Sequence, residues 1–542
     1  MPLSAKVTRN LDSILARAAA ENEPGLAVGV AQRGRMVWRG ARGLANLKTH
    51  IAFTSRTPFR ICSISKQFAC ALVMREVAAG RVALDVHPSR YLPWTKAMDS
   101  ALTIAHLMQN KSGIRDQWVL AMMMGATATQ RFTLRDGIEV NRRAPESMFA
   151  PGSQNSYCNA NFEMLGQILE VVTGETYAQL LATNIFAPLG MRDSFLGVDS
   201  AQSLPTDSRG YRFHDGVWVE EENGLHWAAS AGIVSTVEDL LKWAACLRDP
   251  RVVGLPWVES ITRAAPFNDG NVATYASGIN HAINLTTQRE MIGHAGALRG
   301  WRSILMHFVN EDTSIAVFMN RTNGPQKKYP RAIANDVVKA LGIAPVWRMP
   351  GEKLRRTSLP EAALGAYVSR EQGLLIHLRN HKGQAQIFSH LDWSPLFHTD
   401  IPGMFATDDK HLVIHFDKRN DASLVLTMKD ENVHTPMQHV VAPRTASIRF
   451  AARGRYHCAP LASTLEIVAH DGGEEIVFTG IFGTGTAYPL TRVNARTACF
   501  DISRGVDESP PGRVLVIFEA KQNLLELSCM LARRVVFRAA KD

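Results

Sequence analysis

Ile61-Cys62-Ser63-Ile64-Ser65-Lys66-Gln67-Phe68 leads into Gln67 to Ala79, QFACALVMREVAA, where apolar residues recur at helical spacing and no Gly or Pro intervenes before Gly80. In the first turn of a helix, Ser63 and Lys66 share one face, whereas Ser65 points elsewhere. A serine hydroxyl is a weak nucleophile at neutral pH and needs a base beside it. Lys66 can take that proton if burial or a neighbouring cation keeps its amine neutral part of the time. The positive end of the helix would favour negative charge developing at Ser63. Alone, Ser-x-x-Lys is a weak signal in a chain of 542 residues, because the spacing arises by chance. Its weight depends on partners elsewhere.

Two later stretches carry suitable residue types. Pro151-Gly152-Ser153-Gln154-Asn155-Ser156-Tyr157-Cys158-Asn159 precedes Ala160 to Thr173 (ANFEMLGQILEVVT), an amphipathic helical run stopped by Gly174. On an extended loop Tyr157 and Asn159 lie on the same side. Tyr157 is suited to relay a proton to a leaving group. Asn159 is suited to meet a substrate carbonyl and to hold Lys66. The other stretch is Gly293-His294-Ala295-Gly296-Ala297-Leu298-Arg299-Gly300-Trp301. A glycine within a strand allows another backbone to come close, as the border of a cleft requires. His294 can polarise or hydrogen-bond what lies in that cleft.

In this order, Ser63-x-x-Lys66, Tyr157-x-Asn159 and His294-x-Gly296 resemble the three motifs of the penicillin-recognising serine hydrolases, on the branch of the class C β-lactamases and DD-peptidases. The third motif carries histidine where β-lactamases typically carry lysine, which places β-lactam hydrolysis lower among the expected activities. The strings Ile61 to Phe68, Ser156 to Phe162 and His294 to Arg302 are similar to those of the bacterial D-aminopeptidases, and the likeness spans essentially the whole chain. Ala295 departs from it, since glycine is more usual there.

The resemblance implies an α+β architecture, a β-lactamase-like α/β sandwich followed by two antiparallel β-barrels. It implies Ser63 as nucleophile, with Lys66 and Tyr157 sharing its proton. It places the backbone N–H groups of Ser63 and Ala297 in the oxyanion hole, and Asn159, His294 and Gly296 along the substrate. In that family a loop of the last barrel limits the site to substrates with a free N-terminal amine. Arg504 to Gly512 is the matching segment here, and Asp507 is the carboxylate expected to face the ammonium. No metal or organic cofactor is implied.

The rest of the chain fits this division. Gly25 to Gln32 and Arg35 to Gly40 read as a hairpin, Met1 to Ala20, Leu102 to Gln109, Tyr177 to Asn184, Thr236 to Leu247 and Arg331 to Leu341 as helices, and Met291 to His294, Trp301 to Asn310 and Thr313 to Asn320 as strands. After Pro345, Pro350 and Gly351 helical periodicity fades and short alternating strands recur, as in barrels or sandwiches. Tyr367 in Leu364-Gly365-Ala366-Tyr367-Val368 and Tyr456 in Arg453-Gly454-Arg455-Tyr456-His457 mark a faint repeat, Gly454 following Gly365 by 89 residues. The expected domains are 1–342, a linker at 343–356, and barrels at 357–444 and 445–542.

A net charge of +10 comes from 60 basic and 50 acidic residues, without any basic block interleaved with aromatics, which argues against nucleic-acid binding. Seven cysteines without a CxxC pair or zinc-like histidine spacing argue against a disulfide framework or structural zinc. The first 22 residues lack the apolar core of a signal peptide, and no run is long enough to span a membrane, so a cytoplasmic protein is expected. The activity expected is release of N-terminal D-amino acids from small peptides, amides or esters through an acyl-enzyme. An esterase, a DD-carboxypeptidase or a β-lactamase on the same scaffold is the first alternative, and a sensor that binds a peptide or other ligand without turnover the second. A homodimer is left open.

Overall fold

The computed structural model describes residues 3–540, apart from 128, 222–223, 250–254, 272, 285–286, 323, 325–328, 345, 347–353, 389–392, 408–411, 417–422, 429–432, 441–449, 471–472 and 503–512. Apolar, β-branched runs from both ends of the first domain pair into one six-stranded antiparallel sheet. Its order is Asn280–Asn284, Arg289–Leu298, Trp301–Phe308, Thr313–Met319, Leu26–Gln32 and Arg35–Arg42. Leu26 pairs with Met319 and Gln32 with Thr313, so the N-terminal hairpin completes the later meander. Thr313–Met319 is buried throughout because both sheet faces are covered. Ala5–Ala18 and Pro330–Ala340 pack on one face. The helices Ser65–Ala78 and Val237–Arg248 lie on the other, where Phe68 stacks on Trp243 with ring centroids 4.2 Å apart.

Ser65–Ala78 is buried on almost every side from Ser65 to Val73, which makes it the central helix of the domain. Two expectations shift. The strand read as Met291 to His294 runs on to Leu298, because Gly296 and Ala297 continue the ladder opposite Ser303 and Arg302. The helix read from Tyr177 to Asn184 is α-helical only to Leu181 and widens into a π-turn over Ala182–Phe186.

Among the described residues the tail is all β apart from one short turn. Eight consecutive strands from Gly365–Ser369 to Val433–Val440 form an up-and-down barrel, closed where Ala366 pairs with Val440. Tyr367, Ile376, Ile387, Leu396, Ile414 and Met437 fill it. The last strands, from Gly454–Cys458 to Ala532–Ala539, curl into a half-barrel, with Tyr456 opposite Ala539. Among the described residues its edges are joined by two-residue ladders, Tyr488–Pro489 on one side and Thr491–Arg492 on the other. Gly365 and Gly454 each open the first strand of their unit, and Tyr367 and Tyr456 are buried in matching positions, which accounts for the faint repeat. The half-barrel shares its apolar core with the helices of the first domain. Among the described residues, no helix is long and apolar enough to cross a membrane.

Candidate active site

Ser63 sits in a 3-10 turn, Cys62–Ile64, that runs directly into the helix Ser65–Ala78, rather than in the first α-helical turn itself. Cys62 adopts a left-handed backbone with φ 54. In a non-glycine residue such a conformation costs roughly 1–3 kcal/mol and persists only where its surroundings hold it. Here the Ile61 N–H donates to Ile233 O at 3.0 Å, the Ser303 hydroxyl donates to Ile61 O at 2.9 Å, and the Cys62 thiol donates to Arg60 O at 3.0 Å. The strand bearing Gly296 presses against this turn. A Cβ on Gly296 would lie 2.3 Å from Ile61 O and 2.2 Å from Ser303 Oγ, so no side chain fits at that position.

Lys66 is fully buried. Its Nζ lies 3.1 Å from Ser63 Oγ, 2.8 Å from Asn159 Oδ1 and 2.9 Å from Ser230 O. These three oxygens can take the N–H bonds that Nζ carries once it holds the proton. The faces of Tyr157 and Phe162 complete the cage, with ring centroids 4.7 and 5.2 Å from Nζ. Ser65 points away, its Oγ accepting from Ile233 N at 3.1 Å, as the i+2 spacing predicts.

Tyr157 precedes the helix Asn159–Thr173 and is half-buried. It makes edge contacts with Tyr275 and a tilted contact with His294. The Tyr275 hydroxyl meets His294 Nε2 at 3.0 Å, and His294 Nδ1 faces Ala295 O. A ring nitrogen beside a carbonyl must carry the proton, so Nδ1–H donates and Nε2 accepts from Tyr275. Burial first, then the charge of Lys66, pushes the His294 pKa down to about 3, so the ring is neutral. Both of its nitrogens are therefore engaged within the protein.

Gly296 and Ala297 follow on the same strand, Ala297 being half-exposed. Thus Ser63, Lys66, Tyr157, Asn159, His294, Gly296 and Ala297 come together around one turn. Asp507, with the whole segment from Arg504 to Gly512, lies outside the described residues.

Several residues around this centre carry no sequence motif. Glu163, buried on the same helix as Asn159, accepts from the N–H groups of Ala228 and Ser230 and from the Ser230 hydroxyl. It thereby fixes the carbonyl that Lys66 meets. Burial raises the pKa of its carboxyl, against the pull of those bonds. Asp116 accepts from both N–H groups of Asn159, and Tyr275 holds His294. The turn between Leu524–Cys529 and Ala532–Ala539 of the half-barrel reaches this loop. Ser156 Oγ donates to Met530 O at 3.0 Å and Asp116 N to Leu531 O at 2.8 Å. Arg115 Nε donates to Arg533 O at 2.9 Å, and Arg533 Nη1 to Gln154 Oε1 at 2.8 Å. Each of these acts through a partner distant in the chain, so no local spacing marks it. All seven cysteines are buried thiols.

A buried Ser–Lys pair in a turn at the start of a central helix, beside the edge of an antiparallel sheet, is the arrangement of an acyl-transfer serine hydrolase. The chain matches the family model described as Beta-lactamase over residues 11–339, and that described as D-aminopeptidase, domain B, over residues 357–538. A D-aminopeptidase from Brucella anthropi is 30% identical over 526 residues, 96% of this chain and 96% of that protein. The octameric penicillin-binding protein homologue from Pyrococcus abyssi has the same fold, with a TM-score of 0.55 at 18% identity over 80% of this chain and 100% of that one. So does the D-amino acid amidase from Ochrobactrum anthropi SV3 complexed with L-phenylalanine, with a TM-score of 0.51 at 23% identity over 62% of this chain and 99% of that one. The chain belongs to the beta-lactamase family and, within it, to the D-aminopeptidases.

Proposed function

We propose that this chain is a D-stereospecific serine aminopeptidase that releases N-terminal D-amino acids from small peptides, amides or esters through an acyl-enzyme. The observation that carries the reading is the 3.1 Å approach of the buried Lys66 Nζ to Ser63 Oγ inside a cage of acceptors. Ser63 Oγ attacks the scissile carbonyl carbon, and its proton passes to Lys66 or Tyr157, a coupled pair. The C–N bond then breaks, and the same proton goes to the leaving amine. Water then attacks the acyl-enzyme carbonyl and gives a proton to the pair, which passes it to Ser63 Oγ as the Oγ–C bond breaks and the D-amino acid is freed. Backbone N–H groups of Ser63 and Ala297 receive the oxyanion. Asn159 serves the substrate as well as Lys66, and neutral His294 shapes the wall of the cleft with Gly296.

Asp507 selects the free amine of the substrate in this reading, supported by the 30% identity to a D-aminopeptidase over 96% of both chains. The domains run 1–342, 357–444 and 445–542, joined at 343–356. The finer expectation is a cytoplasmic enzyme acting on small substrates, with a homodimer left open.

The test is a panel of D- and L-amino-acid p-nitroanilides, free and N-acetylated, beside nitrocefin and a p-nitrophenyl ester, run on wild type and Ser63→Ala. Cleavage of free D-substrates above all others, lost by several orders of magnitude in Ser63→Ala, is the expected result. Equal cleavage of free and acetylated substrates would rule out an aminopeptidase. A serine-reactive probe mapped by mass spectrometry to another residue would overturn Ser63.

A further inference from the structure

Asp116 is 2% exposed, and its two carboxylate oxygens do different things. Oδ1 accepts from Trp118 N at 3.1 Å and caps the short helix Gln117–Met123. A cap needs no more than this. Oδ2 faces the other way and accepts twice from Asn159, from its backbone N–H at 3.0 Å and its side-chain Nδ2 at 3.1 Å. An ionised carboxylate can only accept, so it forces the amide NH2 of Asn159 toward itself. The carbonyl end, Oδ1, is thereby turned onto Lys66 Nζ, 2.8 Å away. A flipped amide would aim N–H bonds at the ammonium instead.

The main chain of Asp116 is held in turn by the last domain, because its N–H donates to Leu531 O in the half-barrel turn at 2.8 Å. Asp116 also lies close enough to the buried Cys158 thiol to raise its pKa, so its charge is felt inside the centre.

We propose that Asp116 is a positioning residue for catalysis, seated by the half-barrel turn at Leu531, which locks the Asn159 amide so that its oxygen holds Lys66 against Ser63. It touches neither substrate nor reacting atoms and acts through Asn159. The inference rests on the assignment of Ser63 and Lys66 made above.

Asp116→Asn separates positioning from capping, because asparagine caps helices as well as aspartate does. In this variant the amide at 116 can present either end, and the lock is lost. The expected result is a kcat for D-alanine p-nitroanilide about 10- to 100-fold below wild type, with KM within about threefold, as for loss of an orienting partner behind a functional group. The decisive measurement is an exchange of the pair. Asn159→Asp alone puts two carboxylates face to face and should cost about 100-fold or more. Adding Asp116→Asn restores one amide and one carboxylate, and should regain at least about tenfold over Asn159→Asp.

A merely structural role for Asp116 would make the double variant worse than either single change. Asp116→Asn with kcat within about threefold of wild type overturns the proposal. A double variant that is unfolded, or no faster than Asn159→Asp, also overturns it. Labelling of Ser63 by a serine-reactive probe in wild type keeps the two readings apart. If another residue is labelled, the Ser63 assignment fails. If Ser63 is labelled and the exchange fails, only the role of Asp116 falls.

Discussion

The turn at Ser63 and the half-barrel turn at Met530–Arg533 meet the same loop, and they do so by opposite means. The Ser63 turn acts through side chains. A hydroxyl and an amine must lie within about 3 Å of each other to share a proton, and a helix delivers that from a fixed sequence spacing. The half-barrel turn acts chiefly through main-chain oxygens, those of Met530, Leu531 and Arg533, with the Arg533 side chain adding one bond to Gln154. Any residue type carries such an oxygen. Chemistry supplied by side chains therefore leaves a motif, whereas support supplied by backbone leaves none.

The sharpest way to break this comparison is at Lys66. Lys66→Arg keeps the charge but removes a base that can be deprotonated, so kcat/KM should fall on the order of 10³-fold or more. Activity close to wild type would show that the side-chain chemistry of the turn lies elsewhere.

Next comes Gly296→Ala. The new Cβ would meet backbone, Ile61 O at 2.3 Å, so either the strand or the nucleophile turn must shift. Overpacking of this kind costs about 1–3 kcal/mol, and a shifted oxyanion site should lower kcat by about 100-fold, read from kinetics beside a thermal melt. An unchanged kcat would mean that the approach of these two backbones is not needed.

Gly125→Ala tests the other region. Gly125 has φ +88, and a Cβ there would lie 1.9 Å from Gly483 O across the contact with the half-barrel. The change should cost about 2–3 kcal/mol in stability and, by loosening the seat of Asp116, about tenfold in kcat. A lowered Tm with unaltered kcat would separate the half-barrel from catalysis and leave it a purely structural support.

The smallest effect is a dependence of stability on pH. Burial holds His294 at a pKa of about 3 and His307 and His377 at about 4, each below its usual 6.5. These rings are neutral in the folded state, while the unfolded chain takes up protons below about 6.5, so stability is present above that pH and is lost as pH falls toward 4. Tm should decline through this window, and His377→Gln, at the contact between the barrels, should flatten part of the slope. A Tm unchanged from pH 7 to 4.5 would mean that these rings are protonated when folded.

How much of the molecule was legible follows the same division. The central helix, the sheet strands and the barrel strands follow periodicity, because burial on one or both faces imposes a repeat on the side chains. The strand from Arg289 to Leu298 is longer than the expected Met291 to His294, because Gly296 and Ala297 keep pairing with Ser303 and Arg302 and alternation along the strand does not show that ladder. Tyr275, Glu163 and Asp116 were not legible, because each acts through a partner far away in the chain.

The sequence by itself determined the proton-sharing pair, since Ser63 and Lys66 are joined by one helical turn that local propensity and burial enforce. It also determined the order of the three motifs and the change from an α/β to an all-β pattern near residue 345. The tertiary structure alone decided which buried acceptors surround Lys66. It also decided which way the Asn159 amide points, and that the last domain props the catalytic loop. Those features depend on long-range closure of the chain. There a carbonyl from Leu531 or a carboxylate from Asp116 is chosen by where the fold places it and not by any neighbour in sequence.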